Sequence, residues 1–225
     1  MKLNRQDFLI SLEAVAPGLS SREIIEQSSC FVFQDGNVMT YNDEVACRHS
    51  TAFDGVGAVQ AAPLLALLRK MVEDDIEVTC VDGALIVRGK RRKAGVRMEA
   101  DVRLPVGEVD KPEKWQKLAP DFMEALQVVE QCASKDESCF AMVCIHVHPK
   151  FMEACDNYHA ARYTLDTGFK EECLVRRDSF KHIIELGMTH FSETSNWVHF
   201  KNKAGLILSC RRDRSEYPDL SKTYK

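Results

Sequence analysis

Two histidines, His146 and His148, stand two residues apart in the run CIHVH. That run reads as a strand, so both rings point to one face. Asp156 and His159 follow closely. A His-x-His pair with a nearby carboxylate can hold zinc or non-haem iron, which would make the protein a metal-dependent enzyme using His146, His148 and Asp156. No HExxH and no Cys-x-x-Cys accompanies the pair. Thiol catalysis needs a cysteine beside a base, and with nine cysteines and seven histidines in the chain such pairs arise by chance. The odd number and irregular spacing of the cysteines fit scattered core thiols in a reducing cytosol better than a disulfide framework. Neither GxxxxGK[ST] nor GxGxxG occurs, which disfavours an ATPase or a dinucleotide enzyme.

The remaining chemistry is charge. Lys and Arg total 30 against 34 Asp and Glu, a net charge of −4. A chain that grips nucleic acid over its whole surface is usually basic, so any such contact here must be local. The densest basic run is GKRRKAG, from Gly89 to Gly95. It reads as a hairpin tip, where exposed charge also blunts edge-to-edge strand pairing.

The elements that must position these residues come in two copies. DFLISLEAV, from Asp7, matches DFMEALQVV, from Asp121. TYNDEVACRHS, with Asp43, matches EACDNYHAARY, with Asp156. RKAGVRM, with Lys93, matches NKAGLIL, with Lys203. The three matches are collinear, and APLLALLRKM and DSFKHIIELGM supply a second apolar helix in each copy. The copies are residues 1–118 and 119–225, joined by the Pro-bearing connector VGEVDKPEKWQKLAP. A repeat this long predicts two domains of one fold.

Within each copy the first helix carries an i, i+4, i+7 stripe, Phe8, Leu12 and Val15, then Phe122, Leu126 and Val129. Asp35-Gly36 and Asp82-Gly83 mark hairpin turns, and further turns are expected near Lys93-Ala94-Gly95 and over Lys201 to Gly205. Helix, strands, helix and strand meander predict an α+β fold, antiparallel sheet with two helices on one face in each domain. Hydrophobic residues make up 45% and charged residues 28%, enough to bury such cores. No run of about 18 apolar residues occurs, and Asp7 and Glu13 interrupt the first apolar stretch, so neither a membrane span nor a secretory leader is expected.

Each copy resembles a domain of the bacterial-type β sliding clamp, the processivity factor of DNA polymerase. The resemblance is carried by DFMEALQVVEQCASKD, ACDNYHAARYTL, VHFKNKAGLILSCRR and the aromatic-Pro-Asp segment Tyr217-Pro218-Asp219. It covers nearly the whole chain as the first two domains of a clamp. The bacterial-type subunit has three such domains and closes as a dimer; two-domain clamps close as a trimer. Either a two-domain chain trimerises here, or a third domain follows.

The resemblance implies a non-catalytic protein without a cofactor. It implies a homo-oligomeric ring around duplex DNA, in the cytoplasm of a bacterium or in the host of a bacterial virus. It further implies that DNA polymerase and the clamp loader bind through short linear peptides. The family's helices face the hole, which assigns Arg22, Arg69, Lys70, Lys135, Arg177 and Lys181 to DNA contact without base readout. The family's peptide pocket maps by position onto Cys155, Asn157, Tyr158, His159 and Ala160, then Pro218, Lys222 and Thr223. The family prefers Gly, His, Arg and Leu where Asn157, Tyr158, His159 and Ala160 stand.

Overall fold

The computed structural model describes residues 1–224. The chain divides into two compact units, one of Met1–Val109 with Ala204–Leu208, the other of Asp110–Lys203 with the chain from Ser209.

The first unit runs β1 (Lys2–Asn4), α1 (Arg5–Ala14), β2 (Cys30–Gln34), β3 (Asn37–Tyr41), β4 (Val45–Ser50), β5 (Gly57–Gln60), α2 (Ala61–Lys70), β6 (Asp75–Val81), β7 (Ala84–Arg88) and β8 (Lys93–Glu99). Its strands are antiparallel, in the order β1-β6-β7-β8-β5-β2-β3-β4. Asn4 starts α1 by accepting the backbone N–H groups of Gln6 and Asp7 at 2.9 and 3.1 Å. The helix ends ahead of Pro17, and Phe8, Leu12 and Val15 are buried. Phe8 meets Phe33 and Phe53, with ring centroids 6.2 and 6.1 Å away. Asp35 and Gly36 both have positive φ, at 50° and 67°, as the tight two-residue β2–β3 turn requires.

The second unit runs β9 (Gln116–Lys117), α3 (Phe122–Val129), β10 (Cys144–His148), β11 (Phe151–Cys155), β12 (Ala160–Thr164), β13 (Cys173–Arg176), α4 (Arg177–Glu185), β14 (Met188–Glu193), β15 (Trp197–Asn202) and β16 (Ile207–Arg211). Its two sheets have the orders β12-β11-β10-β13 and β16-β15-β14-β9. Those orders repeat β4-β3-β2-β5 and β8-β7-β6-β1 of the first unit, strand for strand. β10 starts at Cys144, β11 at Phe151 and β16 at Ile207, each 114 residues after its counterpart β2, β3 or β8. Phe200 of β15 receives Phe122 from α3 and Phe180 from α4, at 6.3 and 6.0 Å, so both helices bury one face against the same strand. Phe122, Leu126 and Val129 are all fully buried.

Three local expectations need correction. Lys93, Ala94 and Gly95 open β8; the turn is made by the preceding residues, closed by Gly89 N–H to the Arg92 carbonyl at 2.8 Å. Lys201 and Asn202 likewise belong to β15, and the turn begins at Lys203. The KAG phrase is therefore strand in the first copy and turn in the second, four residues out of structural register. In the second copy Gly205 takes φ +85°, a turn conformation, whereas the first-copy phrase extends along the sheet. Finally, part of the connector is structured: Gln116 and Lys117 pair with Phe191 and His190 as β9, the counterpart of β1.

Candidate nucleic-acid and peptide interfaces

Of the cations assigned to DNA, all but Lys181, which lies inside α4, sit at helix ends or in the segments beside them. Arg22 is exposed in the segment that follows α1, where its carbonyl accepts the Ser20 hydroxyl and the Ile24 N–H. Arg69 and Lys70 form the last turn of α2, where positive charge opposes the negative end of the helix dipole. Arg69 is already paired with Glu13 at 2.8 Å. Lys70 is exposed, and its carbonyl accepts Nη1 of Arg92 at 2.9 Å. That bond ties the basic β7–β8 tip to the end of α2, while Lys90, Arg91, Arg92 and Lys93 all stay exposed, as expected of a solvated hairpin tip.

In the second unit Lys135 and Arg177 line one cavity of about 70 Å³ together with Ser134, Glu137, Arg176 and Asp178. Arg177 starts α4, bonds the Asp178 carboxylate at 3.0 Å and reaches the Ala133 carbonyl at 3.5 Å. Lys181, one turn on, lies 3.9 Å from Glu185. Sequence reading missed Arg176, which adds a third cation here while bonding Glu137 at 2.6 Å.

The two halves of the mapped peptide site meet in the fold. Cys155 ends β11 and Ala160 begins β12, directly paired in register. Asp156 holds the turn between them by accepting the N–H groups of Tyr158 and His159 at 2.7 and 2.6 Å, and these bonds keep its carboxyl below the usual carboxylate range. Asn42 does the same in the first copy, accepting from Glu44 and Val45, so the Asp43–Asp156 match is one residue off the structural one. Tyr158 projects from the turn, 89% exposed. The tail returns to this strand end: the Cys155 N–H donates to the Tyr217 hydroxyl at 2.9 Å. Burial pushes the Tyr217 hydroxyl far above the ordinary phenol range. Pro218 follows, and Lys222 and Thr223 are exposed beyond it.

A polar row crosses the same sheet. His146, Glu153 and Arg162 are register partners on β10, β11 and β12. Glu153 Oε1 lies 2.8 Å from His146 Nδ1, while its Oε2 accepts Arg162 Nε and Nη2 at 2.8 and 2.7 Å. The Arg162 guanidinium lies over the rings of Phe151 and Tyr224, 4.2 and 4.5 Å from their centroids. The sequence signal was present but unread: a lone carboxylate inside the apolar strand FMEAC, with an arginine at the mirror position across the Asp156–His159 turn.

This row engages the histidines that suggested a metal. His146 Nε2 is also 3.3 Å from Glu172, and His148 stacks on Phe151 with its Nδ1 accepting the Lys150 N–H. Asp156 and His159 face each other across their own turn at 3.3 Å. Among the described residues no group of three His, Cys, Asp or Glu side chains is placed to hold a metal ion. All nine cysteines are free thiols and six are buried. Burial raises Cys47 and Cys173 to about 12, where a thiol is no nucleophile. Among the described residues no helix is long and apolar enough to cross a membrane.

The duplicated sheet-and-helix unit defines a class, the DNA polymerase sliding clamp fold. Solved structures with that fold are clamps from several bacteria. A DNA polymerase III β chain from Streptococcus pneumoniae superposes with a TM-score of 0.85 at 12% identity, over 100% of this chain and 67% of that one. A Helicobacter pylori β clamp, described as bound to a DNA ligase peptide, gives 0.84 at 14%, over 100% and 69%. A Pseudomonas aeruginosa sliding clamp bound to griselimycin gives 0.84 at 13%, over 100% and 67%. The chain thus spans about two thirds of the length of these clamps. No family model matches the sequence, and no curated protein matches it either. At such identities the likeness is one of fold.

Proposed function

We infer that the protein is a processivity clamp: copies assemble into a ring of clamp domains around duplex DNA and tether a DNA polymerase, with no catalysis of their own. The observation that carries this reading is the clamp fold, repeated strand for strand in the two copies and matched by clamps over the whole chain at TM-scores from 0.80 to 0.85. The local chemistry agrees. A sliding ring needs weak attraction to phosphate without base readout, which lysines and arginines at helix ends provide. With net charge −4, those cations stand out against an acidic whole and discourage DNA from binding elsewhere. Tethering raises the polymerase's local concentration at the primer end, so the ring acts through a peptide site alone. The junction of the β11–β12 turn with the Tyr217–Thr223 tail is that site, and it takes short linear peptides from the polymerase and clamp loader, as the Helicobacter relative takes a ligase peptide.

The test is topological. Protein threaded onto linear duplex should be trapped when both ends are blocked by biotin and streptavidin, and should run off when one end stays open. Dwell times indifferent to the blocks would reject the clamp. The mass of the free protein in solution would count the copies in the ring.

A further inference from the structure

The tail does more than border the peptide site. Tyr224 lays its ring on Arg162, a cation held rigidly in place by two bonds to Glu153, which is itself 3% exposed and tied to His146. Phe151 lies against the same guanidinium. A preformed cation with an aromatic neighbour is a strong seat for a further aromatic ring. Tyrosine fits it imperfectly, because its hydroxyl oxygen is buried with no hydrogen-bond partner among the described residues. The segment carrying the ring is bonded within itself, Ser221 N–H to the Asp219 carboxylate and Thr223 N–H to the Leu220 carbonyl, both at 2.9 Å. Lys222 and Thr223 are exposed within that turn. The occupant is therefore held in a turn with its own local bonds and carries an unmet polar group.

We propose that Tyr224 is a displaceable plug, and that a partner peptide engages this chain by placing its own aromatic side chain on Arg162. The proposal rests on the clamp reading for the source of the peptide and on the ring–cation geometry for the seat. The plug sets affinity, since only the fraction of molecules with Tyr224 unseated is competent to bind. A phenylalanine carries no hydroxyl and would fill the seat better than the tyrosine it displaces.

The experiment uses the full chain, isotope-labelled, as wild type, Tyr224→Ala and Tyr224→Phe. Tyr224 is only half-buried, so both variants should keep the fold. Each is titrated with a ten-residue peptide bearing one Phe among aliphatic residues, and with its Phe→Ala twin. Tyr224→Ala should bind the Phe peptide roughly three- to tenfold more tightly than wild type, in keeping with the removal of one competing ring from the cation. Tyr224→Phe should bind it more weakly, because its plug seats without an unmet hydroxyl. In Tyr224→Ala the Arg162 Nε–H resonance should lose the part of its ring-current shift that Tyr224 contributes, the Phe151 part remaining, and should regain it with the Phe peptide but not with its alanine twin. Equal affinity in all three proteins, with shifts confined to residues 155–160, would overturn the plug and leave the clamp reading standing. If no variant takes the peptide, yet N-acetyl-phenylalaninamide restores the Arg162 shift in Tyr224→Ala, the seat stands and the peptide-tethering reading fails. Failure of both ligands to reach Arg162 in Tyr224→Ala overturns the proposal.

Discussion

Glu153 and Arg162 face each other across β11 and β12, 2.7 Å apart, with Glu153 only 3% exposed and Arg162 at the rim. In the first copy the same positions hold Met39 and Arg48, again register partners, so one copy solves with an apolar residue what the other solves with a buried carboxyl. Removing one partner of a buried pair strands the other, which costs more than the pair contributes. Arg162→Met should therefore lower stability by about 3–5 kcal/mol. Adding Glu153→Met, the first-copy residue, should recover much of the loss. Urea denaturation of the two variants checks both statements; an additive double variant would show that the two groups do not act as a pair.

The helix stripes carry the cores. Leu12 and Leu126 are fully buried at equivalent places on α1 and α3. Replacing either with alanine should cost about 2–5 kcal/mol, the range for deleting a buried leucine side chain. A loss under about 1 kcal/mol in chemical denaturation would contradict the packing.

His199 gives the protein an acid-sensitive centre. It is fully buried on β15, with Nδ1 2.8 Å from the Ser209 hydroxyl and Nε2 3.1 Å from that of Thr194. Burial depresses its pKa to about 4. The unfolded chain therefore binds the proton first as pH falls below about 6.5, and stability drops until the folded protein is protonated too, near pH 4. The loss over that window is about 3 kcal/mol. His199→Gln should flatten the pH dependence by about one proton between these limits, read as the slope of unfolding free energy against pH.

Neutralising Arg22, Arg69, Lys70, Lys135, Arg177 and Lys181 together should weaken DNA association and reduce its salt dependence. The slope of log affinity against log salt should fall by about one unit for each phosphate that a cation no longer neutralises. Arg69, already paired with Glu13, should contribute least. Unchanged salt slopes in single variants at Lys70 and Lys135 would place the DNA elsewhere.

Much of this protein was legible in its sequence because the signals are local. The Phe8 and Phe122 stripes repeat at helical spacing, and Asp35-Gly36 and Asp82-Gly83 need only their own backbone conformations to make turns. The duplication was visible as well, since each copy must rebuild the same core from the same periodicities. What failed were signals whose meaning depends on a partner strand. The KAG phrase is identical in both copies yet extends in one and turns in the other, because strand pairing outweighs so short a phrase. Pro149-Lys150 turns the β10–β11 hairpin without any glycine to announce it. Gln116 and Lys117 looked like linker until β14 paired with them.

The site divides along the same line. Arg69, Lys70 and Arg177 could be placed at helix ends from helix position alone, whereas the cavity that Lys135 shares with Arg177 comes from the fold. The row of His146, Glu153 and Arg162 could not, since those residues lie seven and nine apart in sequence and become neighbours only through hairpin register. Tyr217 and Tyr224 reach that sheet from the far end of the chain, 62 residues beyond Cys155 and 62 beyond Arg162. No periodicity links such distant residues; only the folded path of the tail across β11 and β12 brings them together, where burial and ring–cation contact hold them.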